Sequence, residues 1–146
     1  MRRDVANGRA SATTAWHSPR NGPLSAAMVE RASAGDWRIE PATLGDAEAV
    51  AAIYAHHVVH GTASFETAPP DAAAMAARMA AVLNAGAPWL VARDGEGAVI
   101  GYAYAAQFRD RPSYRFAAEN SVYIRHDRRG EGIGRALLAL LIVAAE

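Results

Sequence analysis

The sequence predicts an α/β fold of the α+β kind, a mixed and mostly antiparallel sheet flanked by helices. Three observations predict it. Short runs rich in β-branched and aromatic residues alternate with alanine- and leucine-rich stretches whose apolar residues recur every three or four positions. Two of the strand-like runs are parted only by Asp94-Gly95-Glu96-Gly97, a hairpin turn that makes them antiparallel neighbours. The resulting order, β-α-α-β-β-β-α, leaves the helices to cover the faces of one sheet.

Residues 1–36 carry Ser, Thr, Asn, Gly, Pro and Arg without a period and include the breaker cluster Ser18-Pro19-Arg20-Asn21-Gly22-Pro23. They read as a flexible N-terminal extension, with Met28 as an alternative start, ahead of one domain over 37–146. The first strand is Trp37-Arg38-Ile39-Glu40-Pro41-Ala42. Thr43 is expected to cap the next helix with Asp46 as its capping-box partner, and Leu44, Ala47, Val50, Ala51, Ile53, Tyr54 and Val58 supply the apolar stripe. Gly61-Thr62-Ala63-Ser64-Phe65-Glu66 ends that helix. Pro69-Pro70-Asp71 opens a second one, whose core face is Met75, Met79, Val82 and Leu83 and whose stop is Gly86. The hairpin strands are 88–93 and 99–105. A polar, aromatic and basic loop over 107–115 leads to a last strand at 119–124, and the final helix buries Ile133, Leu137, Leu140, Leu141 and Ala144.

Composition removes several classes of function. Fifteen basic and fifteen acidic side chains cancel to a formal charge of zero, so no global field draws in nucleic acid or an anionic membrane. The absence of cysteine excludes disulfides, thiolate metal sites and an acyl-cysteine intermediate. The longest apolar run, 136–145, is too short to span a bilayer, and the N-terminus lacks the apolar core of a secretory signal, so a cytoplasmic location is expected. His56, His57 and His60 invite a metal, but spacing brings at most two of them together with no third ligand nearby. They read as a solvated helix end, and no metal is expected.

The densest stretch is Arg128-Arg129-Gly130-Glu131-Gly132-Ile133-Gly134-Arg135, between the last strand and the last helix. Glycines let the backbone approach an anion, and the first free N–H groups of the helix point at it, so a phosphate fits there. The spacing matches neither the Walker A loop, since no lysine stands near, nor the dinucleotide fingerprint, since the acidic residue about 20 positions on is lacking. A plain structural turn remains the alternative.

Arg129-x-x-Gly132-x-Gly134 on a strand-helix junction, within this element order, resembles the pyrophosphate signature of the GNAT acetyltransferases over residues 37–146. Ala63-Ser64-Phe65-Glu66, Gly101-Tyr102-Ala103-Tyr104, Phe108-Arg109-Asp110-Arg111-Pro112-Ser113-Tyr114 and Glu119-Asn120-Ser121-Val122-Tyr123-Ile124 are similar to the phosphinothricin acetyltransferase branch. The resemblance implies acetyl-CoA as co-substrate, a small amino-acid-like amine as acceptor and no metal. It implies that Arg129, Gly130, Glu131, Gly132, Ile133, Gly134 and Arg135 cradle the pyrophosphate, while Val122, Tyr123 and Ile124 run beside the rest of the cofactor. Members of the family continue past this helix by a further strand-helix-strand unit of ~30 residues, with a histidine near the substrate and an acid for the leaving thiolate. The expectation is therefore a domain incomplete in its C-terminal arm, prone to pair as a homodimer through its open edge. Its alternative reading is a non-catalytic remnant or CoA-binding module.

Amine acetylation needs a base, a polarised carbonyl and a stabilised leaving group. The resemblance makes Glu119 the base, a role that requires desolvation in a cleft; the alternative is a solvent-facing glutamate paired with Arg115 or Arg109. Backbone N–H groups of 122–124 would polarise the carbonyl, freed by a β-bulge, while the side chains of Val122 and Ile124 read equally as core. Arg109 and Arg111, with Phe65 and Tyr114 nearby, suit a substrate carboxylate or phosphinate, or else form a solvated loop with an internal Arg-Asp pair.

Overall fold

The computed structural model describes residues 35–109 and 111–146. Apart from Gly35 and Asp36, the expected N-terminal extension lies outside the described residues. The elements follow the predicted order: β1 (Trp37–Pro41), α1 (Ala47–His60), α2 (Ala72–Asn84), β2 (Trp89–Asp94), β3 (Val99–Gln107), β4 (Ala118–Ile124) and α3 (Ile133–Ala145). The strands form one sheet in the order β1-β2-β3-β4, and all three pairings are antiparallel. The mixed character expected from sequence is not seen among the described residues.

Alternation along the strands sends side chains to two cores. Ile39, Leu90, Ala92, Ala103 and Ala105 pack against Ile133, Leu137, Leu140 and Leu141 of α3 on one face. Trp89, Val91, Tyr102 and Tyr104 meet Val50, Ile53, Met75 and Met79 of α1 and α2 on the other. The register slips between Ala92 and Arg93, which pair with Gly101 and Val99, so Ile100 is the extra residue of a bulge and joins the α3 core out of phase. Gly101 allows this packing: a Cβ there would come within 2.8 Å of Ile124 Cδ1 and 3.4 Å of Leu137 Cδ1.

Helix ends follow the local chemistry. Asp71 caps α2 by accepting from the Ala74 N–H at 2.7 Å, and Gly86 takes φ 78° just past its end. Before α1 the Asp46 carboxylate accepts from the Thr43 N–H at 2.9 Å, closing a 3₁₀ turn, Leu44–Asp46, where sequence anticipates the helix itself. That tighter turn leaves Leu44 half-exposed instead of in the stripe. Asp46 is buried, and Arg93 from β2 donates to it at 2.6 Å and also to Glu40 of β1. No helix among the described residues is long and apolar enough to cross a membrane.

Candidate functional site

Between β4 and α3 the chain makes a 3₁₀ turn, His126–Arg128, and then passes Gly130 and Gly132 at φ 83° and 81°. Both glycines lie in the left-handed region that strains any residue with a Cβ, yet a Cβ on either would meet nothing within 4 Å. The space above the turn is open. Gly132 is the cap of α3 and no side chain caps that end, so the first helical N–H groups face outward with the positive end of the dipole behind them. A Cβ on Gly134 would stand 3.6 Å from Ile124 Cγ1 and 3.9 Å from Val122 Cγ1, which seats the start of α3 directly on the end of β4.

The charges around this turn divide into spent and unspent. Arg128 donates to both Glu131 oxygens, at 2.7 and 2.9 Å, and lies 3.8 Å from Asp94, so its hydrogen bonds hold the Glu131 carboxyl below the usual carboxylate range. Glu131 therefore offers the turn its backbone and not its side chain. Ile133 is buried in the α3 core and likewise contributes only backbone. Arg129 and Arg135 are exposed and enter no ion pair among the described residues.

β4 is an edge of the described sheet, and its register decides which backbone groups are free. The Arg125 N–H donates to Ile100 O at 2.8 Å and the Phe108 N–H to Ala117 O at 3.0 Å. With the alternation of an antiparallel ladder, Glu119, Ser121 and Tyr123 spend their backbone on β3, while Asn120, Val122 and Ile124 turn theirs to the open edge. His57 confirms the phase, since its Nε2 lies 2.8 Å from Ile124 O. Free N–H groups thus arise from edge position. The bulge expected here lies instead between β2 and β3. Tyr123, grouped with Val122 and Ile124 in the sequence reading, is bonded to Tyr102 through its backbone and sends its ring to the α1 side.

A cleft of about 450 Å³ opens beside β4, lined by Tyr54, the segment from Ala63 to Glu66, and β4 from Glu119 to Tyr123. Phe65 stands at its wall with 106% relative exposure. Glu119 is exposed too, and its carboxylate enters no hydrogen bond or ion pair among the described residues. The alternative pairings with arginine do not form: Arg115 donates to Pro112 O at 3.2 Å and lies over the Phe116 ring, and Arg109 lies over the Phe108 ring. Arg109, Arg111 and Tyr114 do not line this cleft. β3 runs to Gln107 and pairs there with Ala118, so the loop joins β4 at its Glu119 end. The Gln107 amide then ties it by donating to Arg109 O and Arg111 O. Sequence reasoning missed the polar lining, Tyr54, Ser64 and the Tyr123 hydroxyl, because an apolar stripe and a strand pattern already accounted for both tyrosines.

It also missed His126, which changes the histidine cluster. His126 stacks on His56 with ring centroids 4.0 Å apart, His60 lies 4.8 Å from His56, and His57 holds the Ile124 carbonyl. The expected solvated helix end is half-buried at His56 and His57. Desolvation, then His126, His60, His57 and Arg129, hold His56 below the ordinary imidazole value of 6.5. The folded state therefore binds this proton less readily than the unfolded chain, and its contribution is present above that value and lost as the pH falls through the folded one. Thermal midpoints measured from about pH 7 to about pH 5 should fall, and His56→Gln should flatten the slope. An unchanged slope would remove His56 as its source.

The sequence profile of the Acetyltransferase (GNAT) family matches residues 50–146. The chain is 55% identical over 101 residues to a phosphinothricin N-acetyltransferase of Alcaligenes faecalis, covering 69% of this chain and 51% of that one. It is 39% identical over 107 residues to an L-methionine sulfoximine/L-methionine sulfone acetyltransferase of Pseudomonas paraeruginosa, covering 73% and 62%. A GNAT superfamily phosphinothricin acetyltransferase from Sinorhizobium meliloti, solved in complex with AcCoA, superposes with a TM-score of 0.73 at 42% identity over 75% of this chain and 60% of its own. The chain thus spans about half of the first relative's length. Fold, glycine turn and matched sequence agree, and the chain belongs to the GNAT acetyltransferase family.

Proposed function

We propose that this chain carries the cofactor turn and acceptor cleft of an acetyl-CoA-dependent N-acetyltransferase. Its acceptor is the primary amine of a small amino-acid-like molecule of the phosphinothricin or methionine sulfoximine type. The observation that carries this reading is the continuity of three features: the open start of α3 sits on the end of β4, the backbone of β4 is free along its edge, and the same strand enters the cleft at Glu119. The two left-handed glycines with open space above them fit a diphosphate. The named functions of the relatives support the acceptor class.

In this reading the N–H groups at Gly132, Ile133, Gly134 and Arg135 hold the diphosphate, with Arg129 as its counter-charge. The free N–H groups of Val122 and Ile124 orient the ligand along the edge, and one of them polarises the transferred carbonyl. Acetyl-CoA would supply an activated acetyl group as a thioester: the amine nitrogen bonds the acetyl carbon as the C–S bond breaks, and CoA leaves as a thiolate that takes up a proton. Glu119 takes the proton that the acceptor ammonium must lose before it can attack, and an acceptor seated against Phe65 excludes water from that carboxylate. Arg109, Arg111 and Tyr114 remain proposed contacts for the acceptor's acidic end. A CoA-binding module without turnover is the second reading, favoured by the exposure of Glu119.

Glu119→Gln should lower turnover by ~10²-fold, with CoA affinity unchanged. A variant that turns over normally would return Glu119 to a surface role. A wild type that binds CoA without turning over would support the second reading.

A further inference from the structure

The segment between α1 and α2 has no regular structure from Gly61 to Asp71, yet its first half is fastened from three elements. Tyr54 of α1 places its hydroxyl 2.8 Å from Ser64 Oγ, and that oxygen accepts from the Glu66 N–H at 3.1 Å. Arg78 of α2 donates to Glu66 Oε1 at 2.7 Å. Tyr123 of β4 donates to Ala63 O at 3.4 Å, and its ring meets Tyr54 edge-on at 5.2 Å. Both neighbours of Phe65 are therefore tied down while Phe65 itself makes no use of the fold, standing wholly in solvent at the wall of the cleft that holds Glu119. Burying a phenylalanine is favourable, and leaving one out while fixing its flanks orders a residue for something other than the core.

We propose that Tyr54, Arg78 and Tyr123 are positioning residues for the acceptor: by holding Ala63, Ser64 and Glu66 they present Phe65 as a preformed apolar wall opposite Glu119. This rests on the acceptor reading above and adds which side chains set acceptor affinity. The cleft then offers the acceptor two unlike surfaces. Glu119 is an unpaired carboxylate for the ammonium, and Phe65 covers the methylene and methyl groups of the side chain. Glu66, although acidic and in the cleft, is spent on Arg78 and does not compete for the ammonium. A preformed wall removes the ordering cost that a loose loop would charge at each binding event. The cofactor turn lies beyond the other end of β4 and shares none of these contacts, so the strap acts on the acceptor alone.

The test is a double-mutant cycle on binding, which needs no turnover. Methionine sulfone is titrated into the full chain saturated with CoA, for wild type, Tyr54→Phe, Arg78→Met, Phe65→Ala, and each strap variant combined with Phe65→Ala. Tyr54→Phe and Arg78→Met should each weaken the acceptor roughly fivefold, the size of one hydrogen bond. CoA affinity should stay constant, and Arg78→Lys should recover part of the loss. In the Phe65→Ala background the strap variants should cost nothing more, because they act through that ring. Losses that add in full, or that fall equally on CoA, would overturn the proposal and leave Tyr54 and Arg78 as fold stabilisers. A wild type that binds CoA but no methionine sulfone would overturn the acceptor reading and this proposal together. A loss in Phe65→Ala alone would overturn only the strap.

Discussion

Gly132→Val weakens CoA binding by roughly a hundredfold or more, read by titration calorimetry. Two effects combine. Valine at φ 81° is a β-branched residue in the left-handed region, costing about 1–3 kcal/mol unless the turn shifts. Its Cβ also enters the open space over the first turn of α3, where the proposed diphosphate would approach the N–H groups. Gly132→Asn separates the effects, because asparagine tolerates the left-handed conformation and still fills the space. It should bind CoA weakly with a melting temperature close to wild type. Equal affinity in all three proteins would remove the cradle from this turn.

Arg93→Met should be the most destabilising single change outside the apolar cores, lowering unfolding free energy by about 3–5 kcal/mol. Arg93 donates to Asp46 at 2.6 Å and to Glu40, and Asp46 is 6% exposed. Removing the guanidinium strands that carboxylate with only the Thr43 backbone N–H and hydroxyl for partners. Asp46→Asn added to Arg93→Met should recover part of the loss, since a neutral amide costs less to bury than an unpaired charge. Chemical denaturation of the wild type, the single variant and the double variant checks this, and a single-variant loss below about 1 kcal/mol would show that water reaches Asp46.

Much of the architecture was legible because it rests on local signals. The hairpin turn, the Asp71 cap, the stop at Gly86 and the three-to-four periodicity of Ile133, Leu137, Leu140 and Leu141 each specify an element from within a few residues. The glycine turn was legible for the same reason: positive φ at Gly130 and Gly132 is a demand that glycine meets in place. What the sequence hid is long in reach. Arg93 meets Asp46 across 47 positions, Tyr123 meets Ala63 across 60, and His57 meets Ile124 across 67, and none of these pairs leaves a periodic mark. The placement of Arg109 and Arg111 depended on where β3 stops pairing. The ladder runs on to Gln107 and Ala118, beyond the strand bounds expected from sequence. The free edge groups of Val122 and Ile124 depended on register phase, and a one-residue slip would have exchanged them for those of Tyr123.

The sheet divides the molecule between two histories. Gly134 and the turn before it lean on the α3 core through Val122 and Ile124, whereas Tyr54, Arg78 and the ring of Tyr123 belong to the α1–α2 core on the opposite face. The helix that covers one face is not among those that cover the other, so residues touching only α1 and α2 can change without touching α3. Residues 54, 63–66 and 78 could therefore change step by step in a lineage while the glycine turn before α3 stayed fixed. Relatives with diverging acceptors should differ most on the α1–α2 side and agree most along β4 and into α3.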